Sequence, residues 1–197
     1  MKKTISMFLI LALAIAALAG CSAGKPAETT APATEAPTEA PTEAPKPALE
    51  GTLEEMIDRI YAQQSVEFMV GTMPLDLTDT SEDGLWALKN GTGLDSAADI
   101  TEAVTSEAMI GSIPYSLVLV RVADAANAQS VAEAMKCGID PRKWICVEAD
   151  DLKVCGYGDV VMLVMIGSQY AENGLTAQSF VDAFETVCGG SLDFVLE

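Results

Sequence analysis

The chain has 197 residues, half of them apolar, with 29 Asp and Glu against 11 Lys and Arg and a formal net charge of −18. So acidic a polypeptide is repelled by nucleic acid and by anionic lipid headgroups. It contains no histidine, which excludes Ser-His-Asp and Cys-His catalysis, and its cysteines lack the close pairing of a structural zinc site.

Lys2 and Lys3 precede an apolar run from Ile5 to Ala19 that ends in small residues. A positive start, a short apolar middle and a small-residue exit are the layout of a secretory signal over residues 1–20. The run is short for a bilayer span of about 20 residues, which favours cleavage over a retained anchor. Removing Lys2 and Lys3 with it takes the charge from −18 to −20. Leu18-Ala19-Gly20-Cys21 resembles the lipobox of bacterial lipoproteins. The resemblance implies diacylglycerol on the Cys21 thiol, cleavage before Cys21, and a membrane partner held through that lipid. Acyl chains contribute about 0.8 kcal/mol per buried methylene, so two or three anchor stably. The competing reading is ordinary signal cleavage beside an incidental cysteine.

Residues 21–50 form the next segment, in which Thr-Glu-Ala-Pro occurs three times from Thr34 to Pro45. Proline at every fourth position denies helix and sheet their donors, and nothing here fills a core. The expected form is an extended tether, at about 3.1 Å per residue, lifting the rest of the chain off the membrane.

Residues 51–197 read as one α+β domain. Thr52 and Glu55 form a capping box for a helix from Leu53 to about Gln63, with Leu53, Met56, Ile57, Ile60 and Tyr61 at helical spacing. Val66 to Val70 suggests a short strand. Residues 73–93, rich in Gly, Asp and Thr, suggest irregular chain with a turn of helix near Leu85 to Leu88. Residues 108–111 lead into an apolar strand, Tyr115 to Val122. Asp124 then caps a helix with a stripe of Ala128, Val131, Ala132 and Met135, stopped by Gly138 in a left-handed conformation. Leu152 to Cys155 leads through a glycine turn into a second apolar strand, Asp159 to Ile166. Thr176 caps a helix bearing Phe180, Val181, Phe184 and Val187. Either a hairpin–helix unit is used twice, or two short hydrophobic patterns coincide. The expected architecture is an antiparallel sheet with helices packed on one face.

Asp140-Pro141 is a helix-start signal, favouring a short helix to about Glu148 that seats Trp144 and Ile145 on the core. The rival is a strand over 144–149 that faces Cys146 to Cys155. Cys137, Cys146 and Cys155 are evenly spaced, and Cys188 is the fourth cysteine after Cys21. Free thiols are the default expectation, with a 137–188 bridge the conceivable alternative.

Asp79, Ser81 and Asp83, followed by Gly84, match the first half of a calcium loop. The twelfth position is Asn90 instead of Glu, which favours a plain acidic loop. Glu148, Asp150 and Asp151 are candidate paired carboxylates, but nothing marks a saccharide groove beside them. No phosphate-binding loop or dinucleotide fingerprint occurs, and no cofactor is implied. Arg142, Lys143, Trp144 and Trp86 form the candidate binding surface.

The strand-then-helix "PYSLVLVRVADAANAQSVAEAM", the "DPRKW" stretch and the strand "GYGDVVMLVMI" resemble a broad family of uncharacterised lipoproteins from Gram-positive, mostly anaerobic bacteria. The resemblance spans about Ser106 to Cys188. It implies an α+β domain outside the membrane, and no catalytic residues to carry over. Two function classes follow. One is a non-enzymatic binding or assembly module, lipid-anchored on the outer membrane face, with an envelope protein or the cell wall as partner and no nucleic acid. The other is a carboxylate-dependent cell-wall or glycan hydrolase.

Overall fold

The computed structural model describes Lys46 and residues 48–197; the expected signal, Cys21 and the Thr34–Pro45 repeat lie outside the described residues. Helix α1 (Leu53–Gln63) begins at the capping box, with both reciprocal bonds between Thr52 and Glu55 present. It buries Leu53, Met56, Ile57 and Ile60, the i, i+3, i+4, i+7 face of an amphipathic helix. Strand β1 (Val70–Pro74) follows, four residues later than expected. Helix α2 (Glu82–Thr92) replaces the expected irregular chain. Ser81 caps it by accepting from the Gly84 amide, and Gly93 ends it at φ +83.

Strands β2 (Ile100–Ala108) and β3 (Tyr115–Val122) form the first hairpin. Its first arm is nine residues long, and residues 109–111 belong to its turn, not to a strand. Asp124 opens a 3-10 turn by accepting from the Ala126 amide, and helix α3 (Ala128–Gly138) continues it. Strands β4 (Asp151–Tyr157) and β5 (Val160–Ile166) form the second hairpin. Its two-residue turn carries positive φ on Gly158 (+57), where glycine is favoured. Helix α4 (Ala177–Cys188) is capped by Thr176 and stopped by Gly189 at φ +71. Strand β6 (Phe194–Leu196) adds to β4.

The six strands make one antiparallel sheet in the order β1-β2-β3-β5-β4-β6, so the domain is α+β. The helices cover both faces of this sheet, not one. Side chains alternate along a strand, so β3 sends Tyr115, Leu117 and Leu119 to the face of α1 and α4. The same strand sends Val118, Val120 and Val122 to the face of α2 and α3. All seven residues of β5 are buried by the two layers together.

The element order hairpin–helix does occur twice. Its geometry does not repeat, because α3 packs Val131, Ala132 and Met135 on one face and α4 packs Phe180, Val181 and Phe184 on the other. The sheet therefore separates Cys137 from Cys188, which removes the bridge between them. Gly138 also differs from expectation: it is the last residue of α3, and its φ is not positive.

Candidate functional site

The DPRKW stretch is neither helix nor strand. Asp140 Oδ1 accepts from the Arg142 amide at 2.9 Å and so starts a turn, not a helix. Cys146 then takes a left-handed φ of +66, which blocks helical continuation. Within this loop Lys143 points inward. Its side chain is 3% exposed, and its Nζ donates to Glu107 Oε1, to Asn90 O at 3.1 Å and to Ser116 Oγ at 3.3 Å. Burial lowers the Lys143 pKa, and the Glu107 carboxylate opposes that shift. Lys143 is thus a bolt between loop, α2 and sheet, and not part of an accessible surface.

The other three surface candidates separate. Trp144 is half-buried against the α2/α3 face, with Lys143 Nζ 5.4 Å from its ring centroid. Arg142 stays exposed and pairs with Glu148. Both Arg142 and Trp144 line a surface cavity of about 420 Å³ with Cys146, Val147 and Glu148. Trp86 is exposed on α2 and does not line that cavity. Ile145, expected in the core, is 86% exposed.

Ser116, Lys143 and Glu107 lie within hydrogen-bond reach of one another, a Ser-Lys contact that sequence motifs did not signal. Ser116 is fully buried between β2 and β5, so no substrate reaches its Oγ, and the trio acts as a fastening.

The calcium reading falls with α2. Ser81 is the helix cap, Asp83 lies in the first turn, and Asn90 is inside the helix, so positions 82–90 cannot wrap an ion. Asp79 Oδ1 is occupied by the Ser81 amide at 2.9 Å, and among the described residues no group of three or more Cys, Asp or Glu is placed to hold a metal. Bonds from Thr78 to Asp76 and from Ser81 to Asp79 hold both carboxyls below their ordinary pKa. These two aspartates line adjoining cavities of about 350 and 170 Å³ beside α2. A third, of about 270 Å³, lies between Ser96, Asp99 and the start of α3.

The three candidate acid–base carboxylates each hold structure together. Glu148 pairs with Arg142. Asp150 accepts from the amide and hydroxyl of Ser168 at 2.6 and 2.7 Å, which lowers its pKa. Asp151 accepts from the Ala177 amide at 2.7 Å, at the start of α4, where a negative charge is favoured.

An unforeseen cluster fixes the chain's entry into the domain. Arg121 donates to Glu102 Oε2 at 3.1 Å, Asp159 Oδ2 at 2.8 Å, Leu49 O at 3.1 Å and Gly51 O at 2.8 Å. Lys46 pairs with Asp193 at 2.7 Å and sits 4.8 Å from the Tyr157 ring centroid. The signal for Arg121 was present in the sequence: the one charged residue inside the largely apolar YSLVLVRV.

All four cysteines after Cys21 are free. Cys137 and Cys146 are exposed, and Cys155 and Cys188 are buried. Burial pushes the Cys155 thiol up and the Cys188 thiol up to about 12, so neither offers thiolate at neutral pH. In native protein at pH 8, a disulfide dye is expected to label Cys137 and Cys146 at least tenfold faster than the other two, which react on unfolding. Peptide mapping of the labelled chain checks this; rapid native labelling of Cys155 would contradict the burial.

No protein-family model matches the chain, and neither a curated protein nor a solved structure shows significant similarity to it.

Proposed function

We propose that the chain is a lipid-anchored protein of the bacterial envelope, acylated at Cys21, whose domain is a non-enzymatic binding or assembly module. The observation that carries this reading is the contrast between the two ends of the sheet. At one end the incoming chain is bolted down by Arg121 and Lys46. At the other end exposed apolar side chains collect, among them Met69, Met109 and Ile110. A body tethered at one pole and apolar at the opposite pole suits display of a contact surface. The hydrolase reading has less support, since Glu148, Asp150 and Asp151 are each engaged in fastening loops and helix starts.

Cys21→Ser tests the anchor. The parent chain is expected in the membrane fraction and labelled by palmitate. The variant is expected to lose the label and to drop about tenfold or more in membrane-bound fraction. Unchanged labelling and retention would remove the anchored reading.

A further inference from the structure

Strand β1 is an outer edge of the sheet, and among the described residues it pairs only with β2. The Leu75 amide donates to Ala103 O, and Met69 O accepts from the Met109 amide. The odd-numbered residues of this segment therefore bond to β2. Antiparallel alternation then turns the amides and carbonyls of Val70 and Thr72, and the Pro74 carbonyl, outward. Soluble proteins usually guard such an edge with lysine, proline, a bulge or an inward charge, and here Pro74 guards only the last position of β1. From Phe68 to Leu75 there is no charged residue, and the β1–β2 register runs without a bulge.

The side chains beside this edge point the same way. Met69 is 68% exposed, and Met73 and Met109 are each 64% exposed. Met109 Cγ lies 3.7 Å from the place a Cβ on Gly71 would occupy, so it flanks the edge strand. Methionine is suited to adaptable contact surfaces. The charges that flank the strand along the chain are of one sign, and the Lys143 ammonium on neighbouring Glu107 is buried. Between Arg59 and Lys89 the chain carries Glu67, Asp76, Asp79, Glu82 and Asp83 and no Lys or Arg. The start of β1 also lies at the pole away from the Arg121 clamp. Val70 pairs with Ala108 at the Tyr115 end of β3, about 20 Å along the strands from Arg121 at about 3.3 Å per residue.

We propose that β1 is a strand-addition site for an extended, apolar segment of a partner protein flanked by Lys or Arg. The outward groups of Val70, Thr72 and Pro74 supply the ladder, Met73 and Met109 the side-chain contact, and the surrounding carboxylates select the cationic flanks. This inference rests on the binding-module reading above and names its surface and partner chemistry. A second copy of the chain is disfavoured as occupant, because the same carboxylates would meet their own kind.

The test uses the full chain carrying Cys21→Ser, so that no acyl chain contributes. The probe is a synthetic peptide of alternating Val and Thr with two lysines at each end, compared with its glutamate-ended counterpart. The lysine-ended peptide is expected to slow amide exchange at Val70 and Thr72 about tenfold or more, and to bind at least tenfold tighter than the glutamate-ended one. Met73→Lys, at an exposed position, is expected to keep the parent thermal midpoint and weaken binding about tenfold. Unchanged exchange at Val70 and Thr72 would overturn the proposal, as would equal binding of both peptides. Protection of the same amides that grows with protein concentration, without peptide, would overturn it in favour of self-pairing. Protection by phosphatidylglycerol vesicles but not by the peptide would overturn it in favour of a lipid surface. Cys21→Ser fractionation is independent of these outcomes, so failure of the edge and failure of the anchor are distinguishable.

Discussion

Gly138→Ala is expected to lower the unfolding free energy by about 3 kcal/mol, the upper range for overpacking a core. A Cβ at Gly138 would sit 2.0 Å from Gly93 O and 2.9 Å from Lys89 Nζ. The nearest obstacle is backbone, which cannot swing aside as a side chain tip can. Gly93 meets the same crowding from the other direction. It holds φ +83, and a Cβ there would fall 2.4 Å from Met135 O. The ends of α2 and α3 thus touch backbone to backbone, and Lys89 Nζ donates to Gly93 O at 3.0 Å within the end of α2 itself. A methyl group at position 138 must prise the helices apart and loosen Leu88 and Met135 in the same layer. Gly111→Ala is the matched control: nothing lies within 4 Å of its Cβ position, so its effect should stay within about 0.5 kcal/mol. Urea unfolding midpoints compare the two, and equal midpoints would mean that the helix ends give way without cost.

The elements that were legible in the sequence are those whose signals are local and agree with one another. Helix α1 carried its capping box and its apolar spacing within eleven residues, and its bounds match expectation. Strand β3 and helix α4 were equally plain. Helix α2 carried valid signals too: Ser81 as cap, Glu82 and Asp83 in the first turn, Lys89 near the end and Gly93 as stop. They were outweighed by Gly84, Asn90, Gly91 and Thr92, which depress helix propensity. The structure shows why propensity loses here. Gly91 lies close against the sheet, where a Cβ would meet Thr105 Cγ2 at 3.0 Å and Leu75 Cδ1 at 3.2 Å.

The two-sided burial was also written in the sequence and underread. YSLVLVRV and VVMLVMI are nearly continuous apolar runs, and a sheet wet on one face would alternate. Covering the second face then requires α2 and α3, one of which had been read as loop. The site was less legible because its bonds are long in sequence. Lys143 reaches Asn90, Glu107 and Ser116, and Arg121 reaches Leu49 and Gly51. Asp140-Pro141 was a fair helix start on local grounds. It loses to the inward insertion of Lys143, which needs an irregular loop to carry the ammonium to the sheet.

The buried ammonium gives the second large prediction. Glu107→Gln is expected to cost about 3 kcal/mol, because it leaves Lys143 buried among neutral oxygens with only the weaker charge of Asp140 to oppose it. The pH dependence separates this from simple loss of a hydrogen bond. Burial holds the Lys143 pKa below its ordinary 10.5, while Glu107 holds it up. Removing the carboxylate lets the folded-state value fall further. Between that depressed value and 10.5 the folded variant binds fewer protons than the unfolded chain, so its stability rises with pH through the window. The deficit of Glu107→Gln relative to the parent should therefore shrink as the pH is raised from 7 towards 10. Adding Lys143→Met should restore most of the lost stability at pH 7 and flatten the pH profile, since no buried charge remains. Chemical unfolding of the parent and both variants across that pH range reads all three effects. A Glu107→Gln variant as stable as the parent, with no rise towards alkaline pH, would show that water reaches the ammonium and that the loop is not bolted by it.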